Sequence, residues 1–378
     1  MKFKLNRYIV FLLSVFFIIP VSCVREEITE KDIDPESSLI RIYGDTRADD
    51  GEGVLDDKNV VTSILEDDFI PDYSIIYISQ KGLHNVEPEF ENPSSNNLYK
   101  YLYYENPSAS WESGYNFSPV DDKELDWDNI RSIGMDGNSY IFFSVYFPED
   151  NEVRFRVENN QSSLSNLRRS NILGARHTTA DLQSRLRFRF HHLMCYLRVY
   201  LYIPVFDAES NTGYLENSLD EGVVLNINPQ FHINYSGDPG ADASPTVELL
   251  GNGLEDVKMY LHEGFEETSI NIKDYDPSVA EETDNVRKYT LSVLFPQQEI
   301  TNRDLLRFFL HTPGGTPKSY VFNTNQNTQL TLKKGSVSQL GLYLRRKDNK
   351  TILINAEVMD WNHCSSEMNL VEETVSSK

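Results

Sequence analysis

Leu186-Arg-Phe-Arg-Phe-His-His-Leu-Met-Cys-Tyr-Leu-Arg-Val-Tyr-Leu-Tyr-Ile203 is the stretch whose reading decides the fold. Leu186, Phe188 and Phe190 share one parity, whereas Leu193, Cys195, Leu197, Val199, Leu201 and Ile203 share the other. Alternation of this kind is the period of a β-strand with one buried face. A regular strand cannot hold both sets against one core, because a shift of one residue turns every side chain to the opposite face. An extra residue at His191-His192, a β-bulge, is the economical expectation. Neighbouring strand residues point to opposite faces, so the two histidines should not share a metal ion, and no metal site is expected.

The same pattern continues outward. Runs at Ser38 to Tyr43, Ser74 to Ser79, Tyr140 to Phe147, Val153 to Val157, Val223 to Ile227 and Val257 to His262 read as strands, as do Tyr289 to Phe295, Leu305 to His311, Ser319 to Phe322, Gln339 to Leu344 and Thr351 to Trp361. Helical periodicity is confined to Ser165 to Ala175 and Thr301 to Arg307, segments suited to connectors. A chain of 378 residues is too long for one ordinary core, so the class is all-β, most simply two β-sandwiches in tandem. A boundary near Arg176 to Gln183, just ahead of the longest strand, places an N-terminal sandwich at 38–182 and a C-terminal sandwich at 183–371, followed by a tail at 372–378.

Lys plus Arg number 35 against 58 Asp plus Glu, a formal charge of −23, which repels a phosphate backbone and excludes nucleic-acid binding. Residues 1–22 have the layout of a signal peptide: basic Lys2, Lys4 and Arg7, an apolar stretch from Tyr8 to Ile19, then Pro20-Val21-Ser22 before Cys23. The apolar stretch is shorter than a bilayer span, and Cys23 stands where a lipoprotein peptidase would cut. Cys23 is therefore the expected lipidation site, with palmitate among its acyl chains, and residues 23–37 the solvated tether that follows. Two thiols remain, Cys195 and Cys364, and the residues leave open whether they form a disulfide or Cys195 is a buried free thiol.

Recognisable catalytic chemistry is missing. His262-Glu-Gly-Phe-Glu266 starts like a zinc-protease helix but has Glu266 where the second His is required. There is no nucleophile elbow, no phosphate loop and no Cys-x-x-Cys. The acidic run from Asp49 to Asp57 lacks the ligand spacing of a calcium loop and reads as a solvated segment. No catalytic residue and no cofactor are expected. Trp111, Tyr115 and Trp127 fit either a sugar platform or, more simply, a sandwich core.

Several segments, in order, resemble the fimbrillin family of fimbrial subunits and related surface lipoproteins of anaerobic Gram-negative bacteria. Tyr140-Ile-Phe-Phe-Ser-Val-Tyr-Phe-Pro148 is similar to the family's aromatic strand in its first domain. Asn171-Ile-Leu-Gly-Ala175 followed by Phe190-His-His192 is similar to the opening of its second, with Phe190 and His192 as the signature pair. Leu294-Phe-Pro296-Gln297 and the closing hairpin from Gly335 to Trp361 complete the match, which spans about 140 to 361. The resemblance implies two transthyretin-like sandwiches and a structural role for His192. It further implies an outer-membrane, surface-exposed lipoprotein whose partners are other fimbrial subunits, with a host protein or glycan as adhesive ligand. In that family an arginine-specific protease removes a first strand and a neighbouring subunit's strand replaces it. Ser38 to Tyr43 would be that strand here and Arg47 the processing site. A polymerising stalk subunit needs a detachable donor, and the only apolar segment after Trp361 is Met368-Asn-Leu-Val371, so tip or accessory subunits and non-polymerising surface lipoproteins stay open. A monomeric glycan-binding surface lipoprotein is the alternative.

Overall fold

Period-2 alternation builds nearly every element, and the strands gather into two halves. The computed structural model describes residues 40–45, 73–80, 90, 97–104, 115–120, 123–132, 140–147, 154–179, 185–209, 211, 213–235, 245–271, 273, 283–300, 303–311, 317–324, 330–344 and 351–360. In the first half, β1 (Arg41–Asp45), β2 (Tyr73–Gln80), β3 (Leu98–Tyr104), β4 (Tyr115–Pro119), β5 (Tyr140–Phe147), β6 (Leu173–Thr179), β7 (Arg185–Arg189) and β8 (His191–His192) make one eight-stranded sheet, ordered β7-β1-β4-β3-β2-β5-β6-β8. Among the described residues two short helices interrupt them, α1 (Trp127–Ser132) and α2 (Leu164–Arg169). The sheet's end strands β7 and β8 are separated in the chain by Phe190 alone, so the sheet folds over until its edges approach. It encloses Ile42, Tyr101, Trp127, Phe142, Leu186 and Phe188.

The second half contains β9 (Met194–Pro204), β10 (Leu219–Ile227), β11 (Phe231–Asn234), β12 (Thr246–Leu249), β13 (Glu255–Lys258), β14 (Tyr260–Leu261), β15 (Glu266–Asn271) and β16 (Thr283–Pro296). It continues with β17 (Gln298–Ile300), β18 (Asp304–His311), β19 (Pro317–Asn323), β20 (Leu330–Leu332), β21 (Ser336–Leu344) and β22 (Thr351–Asp360). A six-stranded sheet, β14-β16-β9-β21-β22 with β15 also on β16, faces a four-stranded sheet, β13-β10-β18-β19. Leu197, Val199 and Leu291 from the first pack with Val224, Leu306 and Phe308 from the second, the interior of a sandwich. The sheets approach closely at Gly222, where an added Cβ would lie 2.3 Å from Leu291 Cδ2.

The protein is all-β, as its alternation predicts. Leu186 to Ile203, however, is not one bulged strand. β7 pairs with β1 and β8 with β6, whereas β9 pairs with β16 and β21. The parity change at His191 marks passage between sheets, so each parity set faces its own core: Leu186, Phe188 and Phe190 the first, Leu197, Val199 and Leu201 the second. Leu193 sits at the crossing with its N–H bonded to the Ile172 carbonyl at 3.1 Å. Its side chain uses the space left by Gly174, where a Cβ would be 3.0 Å from Leu193 Cδ1. The change of sheet therefore falls at Leu193.

Three local expectations also differ. Asp304–His311 is a strand, held between β10 and β19, as expected for Leu305 to His311, and this displaces the helix suggested over the overlapping Thr301 to Arg307. The Ser165 to Ala175 helix stops at Arg169, capped by Ser163, and the chain is already strand from Leu173. Val153 to Val157 forms no ladder over its described residues, only an isolated bridge of Arg156 to Gln230. β5 is buried on both faces: Phe142 belongs to the first core and Phe143 to the second, which accounts for an apolar and aromatic sequence interrupted only by Ser144.

Candidate functional site

The segment with functional promise is β1, because it lies inside its sheet. It runs antiparallel to β4, with Ile42 opposite Phe117 and Gly44 opposite Tyr115. On its other side it runs parallel to β7, from Arg41 opposite Arg185 to Asp45 opposite Arg189. Among the described residues β1 is the only ladder partner of β7. Ile40 and Ile42, at 5% and 3% exposure, enter the first core. The Ile40 N–H donates to the Leu125 carbonyl at 2.9 Å.

The segment from Leu125 to Ile130 covers this slot, and α1 is the element that sequence reasoning missed. Trp127 and Ile130 are one turn apart and both buried, and Asp126 Oδ1 accepts the Asp128 N–H at 2.6 Å. An Asp before an apolar i,i+3 pair is the signal that would have found it. The Tyr101 hydroxyl accepts the Leu125 N–H at 2.7 Å, and burial pushes that phenol above its ordinary range. Trp127 is core, packed edge-on against Phe142 with ring centroids 6.1 Å apart, and so forms no sugar platform. Trp111 and the Tyr115 side chain lie outside the described residues.

The signature residues gather around the crossing between halves. Phe190 is buried against Phe188, 6.0 Å between centroids. His192 is buried, its Nδ1 3.1 Å from Asn171 Oδ1, and burial with neighbouring His191 lowers its pKa to about 3. An accepting Oδ1 places the ring proton on Nδ1. Pro296 ends β16 in the buried core, whereas Gln297 is exposed and its Oε1 accepts the Lys334 N–H at 3.2 Å. Cys195 is a buried free thiol 3.9 Å from Ser338 Oγ. Cys23, Arg47, Cys364 and Trp361 lie outside the described residues, as does the acidic run from Asp49 to Asp57. His262-Glu-Gly-Phe-Glu266 is no helix: it turns between β14 and β15, with Gly264 at φ 78°.

No protein-family model and no curated protein matches the sequence. Among solved structures the chain is similar to a proposed cell adhesion protein from Bacteroides uniformis, at 9% identity and a TM-score of 0.46 over 87% of this chain and 99% of that one. A proposed cell adhesion protein from Bacteroides ovatus aligns at 12% identity and a TM-score of 0.45, over 86% and 98%. The tip fimbrial protein Mfa3 from Porphyromonas gingivalis aligns at 8% identity and a TM-score of 0.34, over 85% and 99%.

Proposed function

We propose that this chain is a fimbrillin-like surface lipoprotein, a fimbrial subunit or tip or accessory adhesin, which assembles by β-strand exchange and carries no catalytic chemistry. The observation that supports the reading is the interior position of β1 between β4 and β7. Cleavage at Arg47 followed by loss of the strand leaves two unpaired ladders and an apolar slot where Ile40 and Ile42 sat. Such an edge is a strong template for another strand, and each buried Ile contributes about 1.5–3 kcal/mol when the slot is refilled. The incoming strand belongs to another fimbrial subunit and runs antiparallel to β4. A head-to-tail exchange that does not close on itself yields a filament. Acylated Cys23 holds the precursor on the outer membrane, the tether at 23–37 carries it to the surface, and a host protein or glycan is the adhesive target.

The deciding experiment treats purified wild-type and Arg47→Ala protein with an arginine-specific protease, then follows mass by spectrometry and filaments by electron microscopy. The wild type loses its N-terminal segment and polymerises; Arg47→Ala does neither. Equal assembly by both, or cleavage without release of the strand, removes strand exchange at this position. Cys23→Ala in cells tests the anchor separately, through lost palmitate incorporation and release from the membrane fraction.

A further inference from the structure

The turn between β12 and β13 carries a residue pair that the rest of the chain does not repeat. Asn252-Gly253 is the one Asn-Gly dipeptide among 378 residues. It stands in Leu249-Leu-Gly-Asn-Gly-Leu254, where Gly251, Asn252, Gly253 and Leu254 are all exposed. Both ends of this turn are tied down. The Leu250 N–H donates to the Gln230 carbonyl at 3.1 Å, and Asn228 Nδ2 donates to the carbonyls of Leu250 and Gly251 at 3.1 and 3.2 Å. Main-chain pairing resumes at Glu255, opposite Ile227. Between these points neither the Asn252 side chain nor the Gly253 N–H has a hydrogen-bond partner among the described residues. A Cβ at Gly251 or Gly253 would meet nothing within 4 Å.

We propose that Asn252 is a site of spontaneous deamidation and isomerisation in the folded protein. The main-chain nitrogen of Gly253 gives its proton to hydroxide and bonds to Asn252 Cγ. The Cγ–Nδ2 bond breaks, and Nδ2 takes a proton from water and leaves as ammonia. The five-membered imide so formed takes up one water at either of its carbonyls, giving aspartate or isoaspartate. One water is consumed, one ammonia is released, and nothing is oxidised or reduced. The step needs a main-chain nitrogen that no acceptor holds and a backbone free to bring it against the side chain. Glycine meets the second need because it lacks the Cβ that restricts φ and ψ. Asn217 is also exposed and also precedes a small residue, but Ser218 is 1% exposed and its carbonyl accepts the His311 N–H at 2.8 Å, so the following residue is fixed there. Asn228 precedes Pro229, which has no N–H to react.

The reaction changes the surface that carries it. Of the five large apolar side chains exposed among the described residues, three stand in this turn: Leu249, Leu250 and Leu254. Deamidation sets a carboxylate among them and adds one negative charge to the −23 already present. Isoaspartate also adds a methylene to the main chain between the held carbonyl of Gly251 and the paired Glu255. An apolar loop tip becomes an anionic one as the molecule ages.

Purified, uncleaved protein is aged in neutral and in mildly alkaline buffer, digested in mild acid and mapped by mass spectrometry, with isoaspartate read by isoaspartyl methyltransferase labelling. The peptide bearing Asn252 should gain the mass of an amide exchanged for an acid, faster at the higher pH and with isoaspartate in the product, while Asn217 keeps its amide. Gly253→Ala, which the open space and the absence of a positive φ accommodate, should slow conversion at least tenfold at unchanged circular dichroism. Should that variant misfold, the comparison of Asn252 with Asn217 in the wild type decides, and equal rates overturn the proposal. So does an Asn252 that stays intact in the folded wild type while it converts in denaturant, or conversion equally fast in folded Gly253→Ala. Nothing is cleaved or polymerised, so failure here is independent of the strand-exchange reading.

Discussion

The side-chain amide of Gln161 pairs with both backbone groups of Leu294: Nε2 donates to the Leu294 carbonyl at 2.7 Å, and the Leu294 N–H donates to Oε1 at 2.8 Å. Gln161 thus acts as one peptide unit added to β16 just beyond the place where β14 ends against Ser292. Its Nε2 also reaches the Glu158 carbonyl at 3.0 Å, and its own N–H donates to Lys258 at 3.0 Å. One wholly buried side chain therefore ties the connecting segment before α2 to the central sheet of the second half.

Gln161→Ala leaves both Leu294 groups buried and unpaired, at a cost of about 2–4 kcal/mol. A lower urea midpoint at unchanged slope is expected. Gln161→Glu keeps the acceptor but loses the donor and buries a charge, so at pH 7 it should be no better than Ala. Its deficit against wild type should narrow in mild acid, once the carboxyl is protonated and can donate. A Gln161→Ala protein with the wild-type midpoint would remove the clamp.

His192 gives stability a pH dependence of known sign. Its pKa is about 3 in the fold against an ordinary value of 6.5, so the unfolded chain binds the proton more readily. Its contribution is complete above about pH 6.5 and is lost as pH falls toward 3, at up to about 1.4 kcal/mol per pH unit. Denaturation of wild type and His192→Gln across this window should give a shallower loss for the variant. Parallel curves would remove the assignment.

Gly222 is required by close approach of the two sheets. The added methyl of Gly222→Ala meets Leu291 Cδ2 at 2.3 Å, Met259 Sδ at 3.4 Å and Phe308 Cδ1 at 3.5 Å. Overpacking of this kind costs about 1–3 kcal/mol. Leu291→Ala in the same chain frees that space, so the double variant should be less destabilised than the sum of the single ones. Strict additivity in thermal or urea unfolding would count against the contact.

Cys195 should be silent in the native protein. Burial pushes its thiol up to about 12, leaving almost no thiolate at pH 8. Peptide mapping after brief exposure to a thiolate-directed reagent should find Cys195 unlabelled in the fold and fully labelled in denaturant. Native labelling within minutes would contradict its burial.

Strand-forming runs such as Tyr140–Phe147 and Thr351–Asp360 were legible in the sequence because alternation directly records a backbone with one or two apolar faces. The irregularity at His191-His192 was legible for the same reason. Its meaning was not: parity reports that Phe190 and Leu193 are buried, not that different cores bury them. The overlapping readings of Thr301 to Arg307 as helix and Leu305 to His311 as strand show a similar limit, since Leu305 and Leu306 satisfy either period and the ladders to β10 and β19 decide between them. Gln161 reads as one polar residue in a polar connector until folding brings it to Leu294. Likewise, Tyr260, Ser292 and Arg198 stand in one row only because antiparallel pairing aligns β14, β16 and β9. The sequence by itself determined the all-β class and which residues seek burial, through local periodicity. Tertiary structure alone decided which sheet each strand joins and which polar groups meet, because those follow from ladder register between distant segments, and local periodicity does not encode register.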